Sequence, residues 1–561
     1  MKFLWLDINA SYSHSSLALP ALHAQLDNKT LQQTKWKIVS GTLKTNPAQI
    51  IAQVQEFAPH YIFATGWLFN IEYLLNILGR IDALKKPSGI FLGGPQFIGN
   101  NEQFLRCNPF ITAVFKGEGE DMFPQFIQIL NREYPDNSWK TIPGFEYIRP
   151  TTHNSQTNTP NGSYIESKLQ SVLNFKDLTI AEQSPFFNWE KAFVQIETSR
   201  GCFNTCRFCV SGIHTAPVQN IPVEELRQRL NTILSHGIKE VRVLDRTFNA
   251  NPARGIELIA LFAEYSGKIQ FHIEVHPALL TPSLKEYLKT IPCNLLHVEA
   301  GIQSLRDTVI EECRRFGKTS DAIEGLKYLL ALKKFEVHAD LIAGLPGYTY
   351  QALIEDTLEM IQIGPQEIQL ELLKLLPGTY FRKNSTQLQI NYAPTPPYEV
   401  LETPSISYQE LQKSMVLSRI LEYWYNDARW RTAFTLIFSK QKEMLLKLID
   451  QLYPGDFLIQ PMSFESKSML LYQFCKTYYP DNLFTISLQW IRNGLSVKKE
   501  PANILTAWNS KTPQYENPLF NKNNYQIKYY YAIHNGLIYW FSFNNETSRN
   551  TPSQELVKTL I

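Results

Sequence analysis

Up to about residue 140 the chain repeats one rhythm: a short apolar run, a turn, then apolar positions at helical spacing. The runs are Phe3-Leu4-Trp5-Leu6, Trp36-Lys37-Ile38-Val39, Tyr61-Ile62-Phe63-Ala64, Gly89-Ile90-Phe91-Leu92 and Ala113-Val114-Phe115, with helical patterns between them such as Pro47 to Phe57. Runs this short and this apolar fit strands buried on both faces, so the rhythm predicts βαβ units on a doubly wound parallel sheet. Ligands of such sheets lie beyond the carboxyl ends of the strands. Here those ends carry Asn9 to Ser16, Thr65-Gly66-Trp67, Gly93-Gly94-Pro95 and Gly117-Glu118-Gly119-Glu120. Glycine at three consecutive strand ends lets a flat, bulky ligand approach the backbone.

Between about 141 and 190 the periodicity fades into polar sequence ending in Asn161-Gly162, a dipeptide suited to a two-residue hairpin turn. This stretch is expected to be a linker with a small hairpin. The alternation then resumes at Ala192 to Glu197, Glu240 to Leu244, Gln270 to Val275, Leu295 to Ala300, Phe335 to Ile342 and Ile368 to Leu373. Six strands with intervening helices predict a partial (β/α)6 barrel over 191–393, with its site at the carboxyl ends of the strands. The proline cluster Pro394, Pro396 and Pro397 marks a boundary. Beyond it, an α+β domain over 394–561 is expected, with one long aromatic helix from Tyr408 to Trp430 and a terminal hairpin turning at His534-Asn535-Gly536.

The chemistry is concentrated in Glu197-Thr198-Ser199-Arg200-Gly201-Cys202-Phe203-Asn204-Thr205-Cys206-Arg207-Phe208-Cys209. Three thiolates at C-x3-C-x2-C spacing suit a [4Fe-4S] cluster with one iron open to a small molecule. The alternative is a zinc site completed by His214, but zinc loops normally pair two C-x2-C halves. Cys107, Cys293, Cys313 and Cys475 stand singly and read as small core residues. Seven cysteines with three in one loop argue against a disulfide framework and for a reducing compartment. The apolar stretch before Asp7 is too short for a signal peptide, and no window reaches membrane-spanning length, so a cytoplasmic location is expected. Basic and acidic residues number 54 and 52 with no basic block, which nominates no nucleic-acid partner. A small-molecule or natural-product-like substrate is the default.

The cysteine run resembles the cluster loop of radical S-adenosylmethionine enzymes, in which S-adenosylmethionine chelates the open iron and is cleaved to a 5'-deoxyadenosyl radical. The amino-terminal strand tips, above all Gly-Gly-Pro after the fourth and Gly-Glu-Gly-Glu after the fifth, resemble the cobalamin-binding domain that precedes the radical domain in one large subfamily. The layout as a whole is similar to cobalamin-dependent radical enzymes with a carboxyl-terminal domain of unknown function. The resemblance implies Cys202, Cys206 and Cys209 as cluster ligands. For S-adenosylmethionine it implies Phe208, Asp245, Glu299, Gln303, Ser304, Leu345 and, on the methionine carboxylate, Arg315. For cobalamin it implies Asn9, Tyr12, His14, Thr65, Gly66, Gly93, Gly94, Gly117, Glu118 and Gly119. The motif Asp-x-His-x-x-Gly of histidine-ligated corrinoid proteins is absent, so His14 is read as a contact to the corrin edge or a helix cap, not a cobalt ligand. Asn249 and Asn251 precede a helix, and for Asn251 an N-cap is the preferred reading.

The activity this implies is a radical methyl transfer to an unactivated carbon or phosphinate centre, drawing electrons from a reductant such as flavodoxin or ferredoxin. Radical oxidation, cyclisation or ring rearrangement without methyl transfer is the first alternative. A tRNA methylthiotransferase is a second rival, against which stand the lack of a second cysteine triad and of a basic RNA module. A non-catalytic corrinoid sensor would leave the cysteine loop without a purpose.

Overall fold

A computed structural model describes residues 1–11, 16–84, 87–132, 137–150, 162–213, 217–521, 527–544 and 551–560. Tyr12, His14, Asn161 and His214 lie outside the described residues. The chain divides into two compact units, one of Met1–Thr349 with Leu372–Leu411, the other of Tyr350–Glu371 with Gln412–Ile561.

In the first unit, β1 (Lys2–Asn9), β2 (Lys35–Thr42), β3 (Tyr61–Thr65), β4 (Gly89–Gly93) and β5 (Ala113–Phe115) run parallel in the order β2-β1-β3-β4-β5. Alternation gives the sheet two chemically different faces. Leu4, Leu6, Ile62, Ile90 and Leu92 pack with Ile50, Val54, Leu74 and Ile77 of two helices in an aliphatic layer. Phe3, Trp5, Tyr61, Phe63 and Phe91 face the other way, into an aromatic layer with Phe123, Phe126, Trp139 and Phe145.

The stretch expected as a linker with a small hairpin carries an antiparallel strand pair. β6 (Phe145–Pro150) pairs antiparallel with β5, and β7 (Gly162–Ile165) with β6, extending the sheet to seven strands. Gly162 pairs with Pro150; the turn expected at Asn161-Gly162 falls partly outside the described residues. Gln170 then bridges Gly117, and the Phe175 ring stacks 4.3 Å from the Arg200 guanidinium.

A second parallel sheet of this unit runs in the order β8 (Val194–Ile196), β9 (Glu240–Val243), β10 (Gln270–Val275), β11 (Leu296–Gln303) and β12 (Glu336–Ala343). Along β10, β11 and β12 buried apolar residues alternate with partly accessible His272, Glu274, His297, Glu299, His338 and Asp340. The sixth expected strand forms as β13 (Glu367–Leu372), most of which belongs to the second unit.

The second unit is α+β. The expected single helix is divided: Tyr408–Ile420 passes into a π-helical turn, Leu421–Tyr425, and a new helix, Ala428–Phe438, starts where Asp427 accepts from Arg429 N. The N-cap restarts what the aromatic pattern alone left continuous. Four antiparallel strands close the unit, with Asn535 and Gly536 both at positive φ in the tight turn between Ile527–His534 and Leu537–Asn544. Cys313 and Cys475 are buried as expected, whereas Cys107, at a helix end, and Cys293, in the turn before β11, are exposed. Among the described residues no helix is long and apolar enough to cross a membrane.

Candidate active site

The cysteine loop leaves β8 and is fixed before it reaches the first cysteine. Asp245, at the end of β9, is buried and accepts hydrogen bonds from Thr198 N (2.7 Å), Thr198 Oγ1 (2.5 Å), Ser199 N (3.0 Å) and Ser199 Oγ (2.7 Å). Burial pushes its carboxyl above the usual range, against those hydrogen bonds. Its oxygens are taken by the loop's entry, where the expectation was a contact to S-adenosylmethionine. The loop's exit is held by the chain after β11: Arg207 N donates to Cys313 O at 3.0 Å, and Asn204 Oδ1 accepts from Phe316 N at 3.2 Å.

Cys202, Cys206 and Cys209 come together at one wall of a cavity of about 180 Å³ at the carboxyl ends of the strands. Phe208, Glu299, Gln303 and Arg315 also line it; Ser304, Leu345 and Asp245 do not. Ser304 is buried and caps the next turn, accepting from Arg306 N, and Leu345 is wholly buried between glycines at positive φ. Arg315 donates to Gly301 O at 2.7 Å and lies 3.9 Å from Cys206 Sγ. Burial pushes the free Cys206 thiol up to about 11, and the Arg315 guanidinium pulls it part of the way back.

Residues missed at the sequence level complete this cavity. Glu274, beside Glu299 in register, is pushed up to about 7 by burial and by the Glu299 charge, against Arg246. Glu299 itself is held below its usual range by the His272 imidazole, 3.1 Å away. His276 is buried, neither ring nitrogen has a protein partner, and desolvation followed by the Arg315 charge pushes it down to about 3. Asn204 Nδ2 is likewise buried without a partner. Buried polar atoms left open on a cavity wall mark a polar ligand position. The signal was available, since period-two alternation along His272-Ile273-Glu274-Val275-His276 turns these residues to one side.

A second cavity, of about 350 Å³, opens on the aromatic layer at the tips of β3, β4 and β5. Trp5, Phe63 and Phe91 contribute to its floor, and Thr65, Gly93, Gly94, Gly117, Glu118 and Gly119 to its rim. The glycines serve different ends. A Cβ on Gly93 would meet nothing within 4 Å, so this glycine keeps the cavity open. Gly66 does not line it; its Cβ would lie 2.7 Å from Phe97. Gly94 and Gly117 stand at φ +105° and +111°, where a Cβ would strike the Gly66 and Gln170 carbonyls. Asn9 also lies off the cavity, donating to Asp7 Oδ2 at 2.9 Å.

A third cavity, of about 220 Å³, adjoins both: it shares Pro95, Glu118, Glu197 and Arg200 with the strand-tip cavity, and Ser211 and Arg246 with the cysteine cavity. Arg200 is the joint. Its guanidinium pairs with Glu120 at 2.8 Å and Glu197 at 2.6 Å, with Glu118 at 3.9 Å. Burial works against its charge, but these carboxylates outweigh it and hold the group above its ordinary value. The Gly-Glu-Gly-Glu tip thus grips the residue two places before Cys202.

A cavity at the strand tips of a doubly wound sheet is thus joined, through shared lining residues, to a three-cysteine cavity on a second parallel sheet. Comparison with known proteins gives this α/β arrangement its relatives. Residues 196–361 match the radical SAM superfamily, and residues 386–454 match a protein family of unknown function, DUF4080. The chain therefore contains a radical SAM domain. An uncharacterized methyltransferase of Pyrococcus horikoshii is 24% identical over 382 residues, covering 66% of this chain and 80% of that protein. The cobalamin-dependent radical SAM methyltransferase TokK of Streptomyces tokunonensis is 22% identical over 350 residues, 59% of this chain and 50% of that one. A tRNA-2-methylthio-N(6)-dimethylallyladenosine synthase of Nitrosospira multiformis is 24% identical over 311 residues, 52% of this chain and 58% of that one. Among solved structures, the cobalamin-dependent S-adenosylmethionine radical enzyme OxsB with aqua-cobalamin bound superposes with a TM-score of 0.59 over 90% of this chain and 83% of that one, at 14% identity. The radical S-adenosylmethionine methyltransferase TsrM from Kitasatospora setae superposes with a TM-score of 0.52 over 70% and 76%, also at 14%. The architecture is that of the cobalamin-dependent radical SAM enzymes.

Proposed function

We propose that this protein is a cobalamin-dependent radical SAM methyltransferase acting on a small molecule. The observation that carries the reading is the junction of the two cavities through the Arg200 cavity, because methyl donor, radical source and substrate must share one enclosure. The residues present suit the three groups. Cys202, Cys206 and Cys209 would hold a [4Fe-4S] cluster; Asn204, His276, Gln303 and Arg315 would meet S-adenosylmethionine; the aromatic floor and the Thr65, Gly93 and Gly117 to Gly119 rim would take cobalamin. Bound together, these groups supply a 5'-deoxyadenosyl radical and a transferable methyl group.

The chain's own work is positioning and water exclusion. Asp245 fixes the loop's entry through Thr198 and Ser199, and Cys313 O and Phe316 N fix its exit. Arg315 sets a positive charge beside Cys206, which favours the thiolate that ligation requires. His276, kept neutral by burial, offers a donor and an acceptor to a ligand in the cysteine cavity. Glu118, Glu120 and Glu197 hold Arg200 so that the two cavities keep their mutual position. The reducing electron comes from a small redox protein such as flavodoxin or ferredoxin.

Anaerobic reconstitution with iron, sulfide and cobalamin tests the assignment of the cavities. Each of Cys202→Ala, Cys206→Ala and Cys209→Ala should lose iron and keep cobalamin, and Gly93→Val should lose cobalamin and keep iron. Cobalamin retained by Gly93→Val, or iron retained by all three cysteine variants, would contradict it.

A further inference from the structure

Three consecutive strands carry one repeated tripeptide pattern, histidine, apolar residue, acid: His272-Ile273-Glu274 on β10, His297-Val298-Glu299 on β11 and His338-Ala339-Asp340 on β12. All three acids line the cysteine cavity. The histidines stand two residues nearer the amino ends of their strands, on the same side of the sheet, and the proposed activity gives them no task. Their rings are in contact: His272 and His297 lie 4.7 Å apart centroid to centroid, and His297 and His338 4.2 Å. His297 Nε2 is 2.9 Å from His338 Nε2. Glu336, opposite His297 in register and exposed, completes a set whose ligand atoms all lie within 4.8 Å of one another.

We propose that His297, His338 and Glu336 form a binding site for a zinc-class divalent cation, which ties β11 to β12 at the amino-terminal end of the sheet, apart from the cysteine loop. Two imidazole nitrogens and one carboxylate oxygen are an ordinary zinc donor set, with water in the fourth position. Tetrahedral coordination at about 2.0–2.1 Å per Zn–N bond separates two nitrogens by roughly 3.3 Å, so the rings need only a slight parting. The His272 ring packs against His297 and is itself held by Glu299, so one ligand is oriented through contacts that reach the cavity above. Glu336 gives the ion a path from solvent and part of its charge balance. The competing explanation is a histidine pair that shares a proton and holds no ion.

The test uses the full chain with its iron cluster reconstituted, so that the cysteines are occupied, washed with chelator and then titrated with zinc chloride. Wild type should retain one equivalent of zinc after gel filtration, and both His297→Gln and His338→Gln should lose it with iron content unchanged. Glu336→Gln, at an exposed position that does not threaten folding, should weaken zinc binding by about tenfold or more. Absence of zinc from wild type, or equal retention by wild type and all three variants, would overturn the site and leave the proton-sharing pair. Loss of zinc only where iron is also lost would assign the ion to the cysteines and overturn it equally. Because iron is measured in every sample, failure of the radical SAM reading and failure of this site are read separately.

Discussion

Asp245 offers the sharpest test of how the cysteine loop is held. Asp245→Ala removes the acceptor of two backbone N–H groups and two hydroxyls in a site where the carboxylate is buried. The hydroxyls can rotate toward other acceptors; the Thr198 and Ser199 amides cannot. A buried donor left without a partner costs about 1–3 kcal/mol, so the two amides alone give roughly 2–6 kcal/mol. Asp245→Asn keeps one acceptor oxygen and should lie between. Denaturant unfolding of the cofactor-free chain measures the loss, and iron content after reconstitution measures its consequence, since Cys202 lies only a few residues beyond Ser199. We expect lower stability and lower iron incorporation, in proportion, across wild type, Asn and Ala. A variant with wild-type stability and full iron but weakened S-adenosylmethionine binding would refute this reasoning and restore Asp245 as a direct ligand contact.

Gly93→Val should abolish cobalamin binding at an unchanged melting temperature, because its side chain enters open space, whereas Gly66→Val and Gly94→Val should lower the melting temperature through Phe97 and the Gly66 carbonyl. Arg315→Ala should weaken S-adenosylmethionine binding by roughly ten- to a hundredfold, the worth of about 1.5–3 kcal/mol for a charged hydrogen bond; Arg314→Ala, exposed at the same turn, should be silent in the same calorimetric titration. Glu274 has a folded pKa raised from 4.5 to about 7, so its contribution is favourable below 4.5 and is lost as pH rises through 7. Glu274→Gln in the cofactor-free chain should therefore raise the melting temperature relative to wild type more at about pH 8 than at about pH 5.

The strands of both parallel sheets were legible because a run such as Gly89-Ile90-Phe91-Leu92 has one period and two faces, and each face found its own layer. The cysteine triad was legible because its spacing is chemistry in itself. The glycines were less so: a sequence shows that a position takes no side chain but not what excludes it, and Gly66 answers to Phe97 whereas Gly93 answers to the cavity. Asp245 was less legible for a related reason, since an acid at a strand tip can face a ligand or turn back to cap the neighbouring loop, and the hydrogen bonds from Thr198 and Ser199 appear only in the folded chain. Asn-Gly occurs three times: at Asn535-Gly536 it turns the chain tightly, with His534 and Leu537 pairing directly, whereas Asn493-Gly494 ends the helix Leu483–Arg492 and Asn161 lies outside the described residues. Glu274 and His276 belong to no motif, and only the alternation of faces along β10 points to them.

A chain that joins a cobalamin cavity to a cluster cavity should serve both fates of S-adenosylmethionine. The direct measurement incubates anaerobically reconstituted protein with S-adenosylmethionine, cobalamin and a low-potential reductant, and quantifies both nucleoside products. We expect S-adenosylhomocysteine together with 5'-deoxyadenosine from wild type, loss of 5'-deoxyadenosine in Cys206→Ala, and loss of S-adenosylhomocysteine in Gly93→Val. S-adenosylhomocysteine formed equally without cobalamin, or 5'-deoxyadenosine formed equally by Cys206→Ala, would contradict it.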